Sequence, residues 1–281
     1  MRFLVLLAPL AALGVFWLVG CYYLYKEQAK LLFPGDGAPF GPFDGLKAAG
    51  GEAITKTVDG QVLRYYQVLP QGSAPQAWVL LFHGNRDGAS ERFDFATQLC
   101  AAGYGVLLAE LPGYAGDPVR ASQKILLRQG LAMADEAQRI ARSAGSGQAL
   151  PLFFFGESLG TSIATYAAMR REPKGLLLST PFPSLAAIAK MRYPIMPIDA
   201  LIIHPMPAER WAPHVRCPVF IVHGTHDTVV PYSLGQAQAK NFRTPPQFIS
   251  IEGLGHSEIR DRYPDQYWGN AKAFISRCLA G

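Results

Sequence analysis

Short, continuously apolar runs recur along this chain, and helical patterns separate them. Trp78-Val79-Leu80-Leu81-Phe82, Val106-Leu107-Leu108-Ala109, Leu152-Phe153-Phe154-Phe155, Leu176-Leu177-Leu178 and Val219-Phe220-Ile221-Val222 contain no charged or amide side chain. A strand that is apolar on both of its sides has to be covered on both. Between these runs, Arg92 to Ala102 reads as a helix stopped by Gly103, and Gln123 to Ala144 as a long helix. Val62–Val68 and Gln247–Ile251 read as further strands, and Tyr267–Leu279 as a terminal helix. This alternation predicts an α/β fold, a mainly parallel sheet with helices on both faces. In such sheets functional groups gather beyond the carboxyl ends of the strands. The 281 residues suffice for one large domain of this kind plus a short extra segment.

The run Leu152–Phe155 leads straight into Gly156-Glu157-Ser158-Leu159-Gly160, and alanine-rich Thr161 to Arg170 leads out as a helix. Gly-x-Ser-x-Gly alone is a weak signal. Between a buried strand and a helix it is the pattern of a nucleophile elbow, a turn that lifts the serine oxygen clear of the sheet. The flanking glycines relieve crowding at that turn. The alternative is an ordinary strand-to-helix turn with an incidental serine.

A serine hydroxyl needs a base to become a nucleophile. Of six histidines, His256 lies in the loop Gly253-Leu254-Gly255-His256-Ser257, directly after the last strand. That loop can bring imidazole to the functional edge of the sheet, so His256 is the candidate base. His83 and His223 each end a strand before a glycine and read as loop-shaping residues. His204 and His214 read as structural or surface residues. The base needs an acid to fix its tautomer and stabilise its charged form. Asp227 follows the strand Val219–Val222 and is the candidate, although a turn aspartate capping nearby amides is the simpler reading of that position alone.

The order Ser158, Asp227, His256 is that of the α/β-hydrolases. Leu81-Phe82-His83-Gly84-Asn85, the elbow, the stretch Val222 to Pro231 and Gly255-His256 together make the chain resemble an α/β-hydrolase-fold serine hydrolase from about Leu31 onward. It is most similar to the small, membrane-anchored branch related to the abhydrolase-domain proteins. The resemblance implies an oxyanion hole of two backbone amides, those of Asn85 and Leu159. It implies no organic cofactor and no metal. Glu110 to Gly116 is looser than the corresponding loop of such proteins, and the proline-rich segment 181–213, with seven prolines, matches none of their detail. That segment is read either as a cap over the serine or as an ordinary connection.

The first 25 residues stand apart. Phe3 to Val19 carries no charge, and the apolar character continues through Cys21 to Tyr25. A span of this length can cross a bilayer. The readings are an uncleaved membrane anchor, a cleaved signal peptide, or a lipoprotein-type signal in which Leu18-Val19-Gly20-Cys21 resembles a lipobox and Cys21 is lipidated. Residues 26–51 are expected to be an extended linker and 52–281 the hydrolase domain. With the N-terminus inside the cell the domain faces the periplasm or the exterior; a cytoplasm-facing domain is the alternative. The net charge of +5 is dispersed, and no nucleic-acid motif is present, so nucleic acid is excluded as a partner. The four cysteines show no paired spacing. The expected function is therefore a membrane-anchored serine hydrolase that cleaves esters or thioesters of a small or lipid-like acyl substrate. Amide cleavage on the same fold and a non-catalytic binding protein are the alternatives.

Overall fold

The computed structural model describes residues 2–35, 37–145, 147–258, 262 and 265–281, with side chains from residue 11 onward. Eight strands form one sheet: β1 (Glu52–Val58), β2 (Gln61–Val68), β3 (Trp78–Phe82), β4 (Gly105–Ala109), β5 (Leu152–Glu157), β6 (Gly175–Ser179), β7 (Val219–Gly224) and β8 (Gln247–Ile251). Their spatial order is β1-β2-β4-β3-β5-β6-β7-β8. The β1–β2 and β2–β4 pairs are antiparallel and the rest parallel. The helices are α1 (Arg2–Leu32), α2 (Asp44–Ala48), α3 (Phe93–Cys100), α4 (Gln123–Ala144), α5 (Leu159–Arg171), α6 (Leu185–Arg192), α7 (Ile198–Leu201), α8 (Ala208–Trp211), α9 (Tyr232–Ala239) and α10 (Asn270–Ala280).

The apolar runs are buried at every position of β3 to β7. Side chains alternate between the sheet's two faces. Leu80, Phe82, Phe154 and Leu178 share a core with α4 and α5 residues such as Met133 and Ile163. Val79, Leu81, Phe155 and Leu177 share the opposite core with Phe95 of α3 and Phe274 of α10. This two-sided cover is why these strands carry no polar face. The chain leaves β3 in one direction to β4 and, from β4, crosses back to β5 on the other side of β3. The carboxyl end of β3 is therefore a topological switch point, where ligands of open α/β sheets bind.

Several expectations are adjusted. The edge strand β1 escaped the sequence reading because it is only partly covered and carries Lys56 and Glu52. Residues 26–32, expected to be extended, are the last turns of α1, and α2 interrupts the remaining linker. The helix expected from Arg92 begins at Phe93, after a 3-10 turn over Ala89–Arg92, and the terminal helix is regular only from Asn270. Segment 181–213 holds three short helices, α6 to α8. All four cysteines are free thiols.

Among the described residues, no helix is long and apolar enough to cross a membrane. The side chains of residues 1–10, with which the expected anchor begins, lie outside the described residues. From Trp17 to Gln28, α1 lies against segment 195–203. The Trp17 indole donates to the Ile195 carbonyl (3.1 Å). Cys21, the candidate for lipidation, is buried in mid-helix with its sulfur 3.7 Å from that of Met196.

Candidate active site

Ser158 sits between the last residue of β5 and the first of α5 with φ 50° and ψ −115°. A non-glycine residue in that region carries about 1–3 kcal/mol of strain and persists only where its surroundings hold it. Here the Ser158 amide donates to the Ser179 carbonyl (2.9 Å), and the Thr161 amide and hydroxyl donate to the Ser158 carbonyl (2.9 and 2.6 Å). A Cβ on Gly156 would lie 2.5 Å from the Gly160 oxygen, and one on Gly160 would collide with the Phe82 carbonyl. The glycine pair thus lets α5 approach both β5 and the end of β3.

That approach brings the loop after β3 beside the serine. A Cβ on Gly84 would lie 3.4 Å from the Ser158 Cβ. Asn85, Ser158 and Leu159 line one cavity of about 380 Å³. The Leu159 amide, at the first position of α5, has no acceptor within the helix and lies at its positive end. Two buried contacts fix the loop. The His83 imidazole has Nε2 3.1 Å from Glu110 Oε1, and Glu110 Oε2 accepts from the Ala89 amide (2.9 Å). Arg92 donates through Nε to Glu157 Oε2 (2.5 Å) and through a terminal nitrogen to the Arg86 carbonyl (3.4 Å), so it ties the loop to the elbow.

At the far end of the sheet, Asp227 is buried. Its Oδ1 accepts from the amides of Val229 (2.9 Å) and Val230 (2.8 Å), and its Oδ2 lies 2.7 Å from His256 Nδ1 and 3.4 Å from His223 Nε2. Burial pushes this carboxyl up, but the hydrogen bonds from His223 and His256, the His256 charge and the Val230 amide outweigh it. The group is held well below the usual carboxylate range. A carboxylate on Nδ1–H leaves Nε2 with a free lone pair, the arrangement a general base requires. Asp227 and His256 are thus in direct contact. Ser158 shares the carboxyl edge with them, and no hydrogen bond joins its hydroxyl to His256 among the described residues. Such contacts often tighten only when substrate is bound.

The Glu110, Arg92, Glu157 and His223 contacts were not evident from sequence. The four-residue spacing of His223 and Asp227 is a local signal that could have found one of them. Among the described residues, no three His, Cys, Asp or Glu side chains form a group able to hold a metal. A larger groove, of about 990 Å³, runs past Pro151, Lys174 and Pro218. These residues precede β5, β6 and β7, so the groove lies at the opposite edge from Ser158. Chemistry rather than size selects the smaller cavity.

Residues 73–203 match the family described as Serine aminopeptidase, S33. Over 242 residues the chain is 31% identical to the Mycobacterium tuberculosis protein Rv2307c, covering 84% of this chain and 83% of that one. The chain belongs to the α/β-hydrolase family of serine hydrolases. This hydrolase is also 29% identical over 192 residues to the lysophosphatidylserine lipase ABHD12 of Danio rerio, covering 61% of this chain and 48% of that protein, so it spans about half of that relative's length. It shares its fold with Est1E from Butyrivibrio proteoclasticus (TM-score 0.65, 21% identity, 82% of this chain and 99% of that one). The Pyrococcus furiosus esterase PF2001 has the same fold (TM-score 0.68, 13% identity, 87% and 98% covered). Family and relatives together make the chain a serine hydrolase.

Proposed function

We propose that this hydrolase cleaves carboxylic esters of amphiphilic acyl compounds through an acyl-enzyme on Ser158. Ser158 attacks the acyl carbon while His256 Nε2 takes its proton. The amides of Asn85 and Leu159 stabilise the developing oxyanion. His256 then gives the proton to the leaving alcohol, and a water deprotonated by His256 releases the acid. Asp227 holds the tautomer and the charged imidazole throughout. The observation that carries this reading is the half-buried Asp227–His256 hydrogen bond on the same sheet edge as the strained serine.

The cavity suggests the substrate class. Its lining is dominated by leucine, isoleucine and valine, with Arg192 the one charged side chain among the described residues. That combination suits an apolar chain with a polar or anionic head, and a relative is named for a lysophospholipid of that kind. Exposed Phe16, Leu18, Val19 and Tyr22 on α1 favour attachment to a lipid surface, and Arg2 with the amino terminus ahead of the apolar stretch favours a domain outside the cytoplasm. The aminopeptidase description of the matching family supports a second reading, amide cleavage. The deciding assay compares lysophospholipids and 4-nitrophenyl esters with aminoacyl 4-nitroanilides, in wild type and Ser158→Ala. Ester turnover that disappears in the variant is expected. Faster anilide turnover, or ester turnover that survives in Ser158→Ala, would overturn the proposal.

A further inference from the structure

The helix α1 does more than precede the domain. Leu24, Gln28, Leu31 and Leu32 all line the cavity that holds Ser158. Their spacing of i, i+4, i+7 and i+8 puts them on one helical face. Leu185, Ile188, Ala189 and Arg192 of α6 also line it at i, i+3, i+4 and i+7, again a single face. Two helical stripes, one from each end of the first two hundred residues, therefore line the cavity that holds the nucleophile.

Gln28 ties α1 to the end of α7, in the segment that follows α6. It is almost fully buried, and its amide is used at both ends. Oε1 accepts from the Ile203 amide (2.7 Å), while Nε2 donates to the carbonyls of Leu201 (3.0 Å) and Tyr25 (3.1 Å). Leu201 closes α7, so Gln28 satisfies a helix-end carbonyl that has no partner inside its own helix. Farther along α1, a Cβ on Gly20 would approach Met196 Cε to 3.2 Å, and Trp17 bonds the Ile195 carbonyl. The contacts at 17, 20–21 and 28 extend over about 16 Å of helix. A helix serving only as a tether would need no polar clamp buried against a segment that lines the same cavity.

We propose that α1 is a wall of the substrate site: the cavity lined by its Leu24–Leu32 face and by α6 takes the acyl chain of the ester, and Gln28, through its bonds to Leu201 and Ile203, holds α1 in place there. This rests on the reading of Ser158 as the nucleophile. It adds that the N-terminal helix determines chain-length preference. Each methylene buried in an apolar slot improves transfer from water by about fourfold, so specificity should climb steeply with chain length until the slot is full.

The experiment measures kcat/KM for 4-nitrophenyl acetate and dodecanoate in wild type, Leu24→Trp and Gln28→Leu, with folding checked by circular dichroism. The dodecanoate-to-acetate ratio is expected to fall by about tenfold or more in both variants, equivalent to losing two or more methylenes of contact. An unchanged ratio in both, whatever the absolute rates, would overturn the proposal. A second arm needs no turnover. Ser158→Ala should bind a fluorescent long-chain fatty acid about tenfold more tightly than Ser158→Ala/Leu24→Trp, and equal affinities would refute the slot. If wild type cleaves no ester while that binding difference holds, the slot stands and the nucleophile assignment fails.

Discussion

Replacing Asp227 by Asn tests the catalytic geometry with one atom. The new amide oxygen can still accept from the Val229 and Val230 amides, which the native Oδ1 does at 2.9 and 2.8 Å. The new NH2 then faces His256 Nδ1 across the native distance of 2.7 Å. Both groups cannot donate, so the imidazole proton moves to Nε2, the atom that has to accept the serine proton. In a triad with this constellation, the wrong tautomer lowers kcat by about 10,000-fold, or about 5.5 kcal/mol of barrier. The fold should survive, because the backbone contacts do. Stability carries a signature of its own. The native carboxylate is held below its unfolded value, so its contribution is complete above about pH 4 and fades as acid brings the pH towards the folded value. The variant should therefore be less stable than wild type at pH 7, with the gap narrowing below pH 4. The assays are hydrolysis of 4-nitrophenyl butyrate and urea unfolding at pH 7 and pH 3.5. A folded Asp227→Asn protein turning over within tenfold of wild type would refute the assigned acid.

Two further substitutions probe the surrounding frame. Arg92→Ala removes the guanidinium that joins Glu157 to the Arg86 carbonyl, and both charged side chains are about one-tenth exposed. Urea unfolding should show a loss of about 3 kcal/mol together with reduced kcat, and a loss under about 0.5 kcal/mol would make the pair incidental. Glu136 is bonded by Arg139, Lys56 and Tyr65, and the Arg139 hydrogen bonds above all lower its carboxyl from 4.5 to about 2 against the opposing effect of burial. A folded value below the unfolded one means stability present above about pH 4.5 and lost on acidification towards pH 2. Glu136→Gln should cost about 2 kcal/mol at pH 7, with urea midpoints converging as the pH falls through that window. A gap independent of pH would show that the charge is not responsible.

Much of this architecture is legible in the sequence because burial imposes composition. Strands β3 to β7 are covered on both faces, so each must be a short apolar run, and their positions could be read directly. The edge strand β1 has no such obligation and was missed. The elbow was legible for a steric reason: neither Gly156 nor Gly160 has room for a Cβ. Asp227 and His256 could be placed because each follows a strand in a recognised order. The supporting contacts could not. Arg92 and Glu157 are 65 residues apart, His83 and Glu110 are 27, and Gln28 and Leu201 are 173. Nothing local in the chain marks such partners, since an arginine or glutamine on a surface helix has the same local pattern. The proline-rich segment was opaque for the related reason that α6 to α8 are too short to develop a clear period. Their place is set by α1 and α5 rather than by their own propensities.

The central claim is that Ser158 forms a covalent acyl-type adduct assisted by His256. It is tested most directly by treating the folded protein with a fluorophosphonate and mapping the modified peptide by mass spectrometry. A single adduct on Ser158, absent in Ser158→Ala and slowed by about three orders of magnitude or more in His256→Ala, is the predicted result. An unmodified Ser158 in folded wild-type protein, or labelling that persists at the wild-type rate without His256, would contradict it.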